Sequence, residues 1–112
     1  MMNNQPHPKL FRIKPSKLAK WRKWCEQLET TYRADAERTI AQEGVSHEFC
    51  IIFELNGSHY AIGAMLTPNG HTPLSADPTE PVNVRHRQMR KECLEPVTEG
   101  EFGYFLPGLP KD

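Results

Sequence analysis

The chain has no apolar run near the ~20 residues that span a bilayer, and its start, Met1-Met2-Asn3-Asn4-Gln5-Pro6-His7-Pro8, lacks the apolar centre of a signal peptide. It also lacks an excess of charge: 14 Lys+Arg balance 14 Asp+Glu, so no overall field draws in nucleic acid or an anionic membrane. A disulfide framework is missing as well. Cys25, Cys50 and Cys93 are an odd number in no metal-like spacing, which argues for a reducing compartment. The five histidines scatter over different segments, where a metal would need three or four converging ligands. The expectation is a cytoplasmic protein with no metal and no cofactor, and with neither nucleic acid nor membrane as partner.

With 112 residues there is material for one core and not two. Residues 1–8 read as a flexible N-terminus, 9–106 as a single domain and 107–112 as a tail. Lys9 to Lys14 alternate and end at Pro15, as a short strand does. Leu18, Trp21, Cys25, Leu28, Tyr32, Ala36 and Ile40 then recur at three- and four-residue intervals. That spacing predicts one long amphipathic helix from about Lys17 to Glu43, with Ser16 as N-cap, Gly44 at its end and Thr30-Thr31 weakening its centre.

Val45–Leu55 and Ser58–Leu66 flank Asn56-Gly57, the dipeptide best suited to a two-residue hairpin turn. The implied register puts Phe53 opposite Tyr60, Ile51 opposite Ile62 and Phe49 opposite Ala64 on one face, which is expected to meet the helices. The other face pairs Glu54 with His59, Ile52 with Ala61, Cys50 with Gly63 and Glu48 with Met65. Thr67 to Pro81 is rich in proline and reads as a loop, with a lid conceivable there. A second helix, about Val82 to Leu94, carries Val82, His86, Met89 and Cys93 on one stripe and is stopped by Pro96. Glu101 to Leu106 reads as the closing strand.

The predicted class is α+β: a ferredoxin-like βαββαβ antiparallel sheet in the order 4-1-3-2, with two helices on one face. Leu10 and Arg12, with the small and polar face of the hairpin, would lie on the uncovered side. Two such faces together make a dimeric α+β barrel, so a homodimer is expected.

Ala19-Lys20-Trp21-Arg22-Lys23-Trp24-Cys25-Glu26-Gln27-Leu28, then Glu43-Gly44-Val45 leading into a strand with Glu48, then His86 with Glu92-Cys93-Leu94-Glu95, resemble a family of short proteins of unknown function, DUF6176. The sharpest piece is the His-to-Glu-Cys segment; Asn83 stands where the family tends to have Asp, and Met89 and Arg90 where it often has aromatics. The resemblance implies a fold and no established activity.

Candidate site residues follow from chemistry and placement. His86, with an ordinary pKa of ~6.5, is a proton carrier if functional and a core histidine otherwise. Arg12 and Glu48 share a sheet face by alternation, as a ligand clamp or a structural ion pair. Met65 lies beside Glu48, and Trp24, off the helix stripe, roofs a pocket or covers the sheet edge. The leading expectation is a homodimer that binds a small molecule near Arg12, Trp24, Met65, Glu48 and His86. The alternatives are a mutarotase- or isomerase-type enzyme with His86 or Glu48 as proton shuttle, and a purely structural dimerisation module.

Overall fold

The computed structural model describes residues 6–68, 71–106 and 108–109. Most of the tail expected over residues 107–112, and residues 1–5 of the expected flexible N-terminus, lie outside them. The elements are β1 (Lys9–Ile13), α1 (Leu18–Glu29), α2 (Arg33–Gln42), β2 (His47–Leu55), β3 (Ser58–Leu66), α3 (Pro81–Cys93) and β4 (Leu94–Glu99). The strands form one open sheet in the order β2-β3-β1-β4 with every neighbour antiparallel. The class is α+β, with four strands and three helices where the sequence predicts two.

The extra helix comes from a break at Thr30-Thr31. The Thr30 hydroxyl donates back to the Glu26 carbonyl (2.8 Å) and the Tyr32 amide returns to Gln27 O (2.8 Å), which closes α1 early. Two β-branched residues with a competing hydroxyl favour this exit over a continued helix. The chain restarts from Tyr32, whose ring packs on Trp24 at 5.6 Å between centroids. Ser16 is not the N-cap: it has φ 68, and Lys17 occupies the cap position with no side-chain bond. Gly44, at φ 76, ends α2 while the Val45 amide donates to Ile40 O (2.9 Å), the close that a glycine past a helix end permits.

The closing strand also differs from expectation. β4 follows α3 directly and includes Pro96, opposite Phe11 at a register shift in β1. As an edge strand it tolerates a residue with no N–H to donate. Residues 101–106 form no strand, and Tyr104 and Leu106 are exposed.

The hairpin has the expected register, with Leu55 opposite Ser58 and Ile51 opposite Ile62, but the opposite face meets the helices. Ala61 is 1% exposed and packs with Trp21, Trp24, Ile13, Val82, Met89, Cys93 and Leu94, with Ile52 against the cluster. Phe49, Ile51, Phe53 and Leu55 lie exposed. The physical reason is volume. Trp21 and Trp24 project from α1 onto the sheet, and at the density of a protein interior two indoles fit only above small residues such as Ala61, Cys50 and Gly63.

Trp24 is therefore core and fully buried, contrary to its expected place over the sheet edge. Burying an indole of this kind contributes on the order of 3–5 kcal/mol. Polar contacts tie the two helices at their edges: Glu92 of α3 pairs with Lys17 (3.2 Å) and Lys20 of α1.

Candidate functional site

α3 starts at Pro81, whose missing N–H costs nothing in a first turn. The helix buries Val82, Met89 and Cys93 and places His86 on the same stripe, half-buried between the indoles of α1. The imidazole centroid lies 6.2 Å from that of Trp21 and 6.0 Å from that of Trp24. Trp24 Nε1–H donates to His86 Nδ1 at 2.9 Å. An indole nitrogen can only donate, so Nδ1 is the acceptor and the proton of the neutral ring sits on Nε2. That Nε2–H makes no hydrogen bond to a described residue. Burial, and then the Arg90 cation, lower the pKa of His86 to about 4. His86 is thus a neutral hydrogen-bond donor at physiological pH. Asn83, one turn earlier, donates to the Asp77 carbonyl (3.0 Å) and does not orient the imidazole.

His86 lines a cavity of about 660 Å³ between the sheet and the helices. Phe11, Cys50, Ala61, Gly63 and Met65 supply its sheet side, and Trp21, Cys25 and Leu28 its α1 side. Arg90 reaches it from α3, with its guanidinium 5.4 Å from the Phe11 ring centroid. Gly63 opposite Cys50 leaves the sheet side open at that point.

Glu43 and Glu48 stand at one side of the cavity. Burial pushes the Glu43 carboxyl up. Glu48, on the edge strand β2, is exposed as a residue; desolvation, then the Glu43 charge, raise its pKa, and Arg90 partly offsets both. Neither carboxyl accepts a hydrogen bond from a described residue. Trp21 Nε1 is fully buried with no hydrogen-bond partner among the described residues. An orphaned buried donor costs about 1–3 kcal/mol, which a ligand acceptor would recover.

Cys25 and Cys50 complete the wall. Each thiol shifts the other: Cys50 and then burial push the Cys25 thiol above the usual thiol range, and Cys25 draws Cys50 below it. For Cys50, burial opposes that lowering, the nearby Trp21 indole adds to it without making a hydrogen bond, and Glu48 opposes it.

Of the residues singled out from sequence, His86, Glu48 and Met65 converge on this cavity. Trp24 does not line it and acts through His86 instead. Arg12 is on the other face of the sheet, opposite Tyr60, with its guanidinium 3.4 Å from Glu95, so it shares no face with Glu48. The error is the inverted hairpin: alternation placed Arg12 correctly on the uncovered side and Glu48 wrongly beside it. His47 pairs with Leu66 at the start of β2 and is exposed. Trp21, Cys25, Cys50 and Glu43 were not singled out as site residues. A signal for three of them was present, since Trp21 and Cys25 lie four apart on α1 and need small partners such as Cys50 beneath. Among the described residues no group of three or more His, Cys, Asp or Glu could hold a metal ion, and no helix is long and apolar enough to cross a membrane.

These features define a small α+β protein with a half-open cavity between sheet and helices whose wall carries unspent hydrogen-bonding groups. The model of a family of unknown function, DUF6176, matches residues 8–107, and the chain belongs to that family. No curated protein and no solved structure matches it.

Proposed function

We propose that the protein binds a small molecule in the cavity between its sheet and helices, and does so as a cytoplasmic homodimer. The observation that carries the reading is the buried Trp21 N–H with no partner beside the His86 Nε2–H, both on a cavity that elsewhere presents Glu43, Glu48 and apolar side chains. Two N–H donors and two carboxyls on an otherwise largely apolar wall suit a compact amphipathic ligand. It would offer an acceptor to Trp21 and His86 and a donor or cation to the glutamates.

Ligand screening by thermal shift tests this, repeated with His86→Ala and Glu48→Gln. Compounds that raise the melting temperature of the native protein are expected to bind both variants at least fivefold more weakly. A screen in which every hit binds the variants as well as the native chain overturns the reading.

Dimerisation rests on the uncovered sheet face, where Phe49, Ile51, Phe53 and Leu55 are 39%, 45%, 49% and 61% exposed. An apolar face this continuous calls for a cover. A second copy placed face to face would complete a ferredoxin-like, dimeric α+β barrel.

An isomerase-type reading draws support from the raised Glu48 carboxyl, which is poised nearer to neutral pH than an ordinary glutamate. It does not use His86 as base, since Nδ1 is already bonded to Trp24 and Nε2 holds the proton. Full activity in Glu48→Gln on any isomerisable ligand found by the screen would remove it.

A further inference from the structure

The charged side chains on the cavity wall are Glu29, Glu43 and Glu48 against Lys9 and Arg90. Among the described residues none of these carboxylates is in an ion pair, and the Arg90 guanidinium lies over the Phe11 ring at 5.4 Å instead. Glu43 is the sharpest case. It follows α2 directly, is only 7% exposed, and its carboxyl has no hydrogen-bond partner among the described residues. Its backbone is held from two sides: the amide donates to Thr39 O (3.2 Å) and Ile40 O (3.1 Å), and the carbonyl accepts from the Leu74 amide (2.9 Å). The carboxyl therefore stays at the wall. Trp21, 3% exposed, brings its unpartnered N–H to the same cavity.

We infer that the ligand of this cavity is an organic cation: a compact apolar body whose protonated amine is held by Glu43 with Glu48, and whose oxygen accepts from Trp21 or His86. The inference rests on the reading of the cavity as a small-molecule site and adds the ligand's charge. A buried carboxylate without a cation is costly, and its pKa rises in response, as those of Glu43 and Glu48 do. A neutral donor would fill a hydrogen bond and leave the charge unbalanced. An ammonium supplies both, through a shorter and stronger charge-assisted bond. An anion would find Arg90, but that side chain is exposed and shared with water and the Phe11 face, while the carboxylates would repel it.

Three probes that share a phenol and differ only at the other end test the charge: tyramine carries an ammonium there, tyrosol a hydroxyl and phloretate a carboxylate. Calorimetric titration of the full 112-residue chain near neutral pH should show tyramine binding about tenfold more tightly than tyrosol, the factor that one hydrogen bond to a charged group supplies, with phloretate weakest. Glu43→Gln, which keeps the size and an acceptor, should erase most of the tyramine advantage and leave tyrosol nearly unchanged. His86→Ala should weaken tyramine and tyrosol alike, because it removes a donor to the oxygen they share. Circular dichroism of each variant controls for folding, and the order of the three probes on the native chain stands without the variants. Tyrosol binding as tightly as tyramine overturns the cation and leaves the binding reading intact, as does phloretate binding most tightly, which would give the site to Arg90 and an anion. Binding of none of the three also overturns this ligand class, while the broader thermal-shift screen decides the binding reading separately.

Discussion

His86 is kept neutral by two separate features, a burial that penalises its cation and an Nδ1 already engaged by Trp24. The first makes stability depend on pH. Its folded pKa of about 4 lies below the ordinary value of 6.5, so between them the unfolded chain takes up a proton that the folded chain refuses. The stabilisation from a neutral His86 is therefore complete above pH ~6.5 and is lost as pH falls toward ~4, by on the order of 3 kcal/mol. Glu43 and Glu48 act with the opposite sign, because carboxyls with raised values hold protons more readily when folded. Urea unfolding of the native chain and of His86→Gln across this range isolates the imidazole: the difference between the two should shrink or reverse on acidification. A constant difference would show that His86 does not titrate as described. The second feature predicts the outcome of Trp24→Phe, which keeps most of the ring packing and removes the donor. It should cost about 1–2 kcal/mol and free Nδ1 to carry the proton, which nitrogen NMR of the imidazole would detect.

Two turns with similar backbones place different demands on their elements. Gly44 and Gly57 have φ of 76 and 81, the left-handed region where a side chain is strained. At Gly57 an added Cβ meets nothing within 4 Å, while at Gly44 it would come to 3.1 Å from His71 Cε1. Gly57→Ala should therefore cost about 1 kcal/mol from backbone strain alone. Gly44→Ala should cost about 2 kcal/mol, since the loop carrying His71 must also give way. Chemical denaturation measures both, and equal losses would show that the His71 contact is unimportant. These turns and the hairpin register were legible in the sequence because the chemistry of Asn56-Gly57 and of a helix-ending glycine is local. The helix break was foreshadowed by Thr30-Thr31, but a periodic apolar stripe runs straight through it and conceals the change of axis. β4 was missed because Pro96 was read as a stop alone, and its position on a sheet edge is a property of the whole sheet.

The choice of sheet face is a whole-molecule property, and it determines where the site lies. By hydrophobicity alone Phe49, Ile51 and Phe53 belong against the helices, yet the volume of Trp21 and Trp24 requires the smaller face there and leaves the larger one uncovered. A sequence reading that ranks faces by apolar content therefore inverts the hairpin and, with it, the pairing of Arg12 and Glu48. The inversion separates the two proposed functions in space, with the cavity on the helix side and dimerisation on the other. Phe53 is half-exposed in the single chain, so Phe53→Glu removes little of the chain's own packing but buries a carboxylate in any face-to-face dimer. Sedimentation should give a dimer for the native protein and a monomer for the variant, both with the same circular dichroism. A native chain that stays monomeric at every concentration defeats the dimer. If the native chain is a dimer and the variant a monomer, the variant should still bind the native protein's ligands. Loss of binding on monomerisation would instead locate the ligand inside the barrel, beside Arg12.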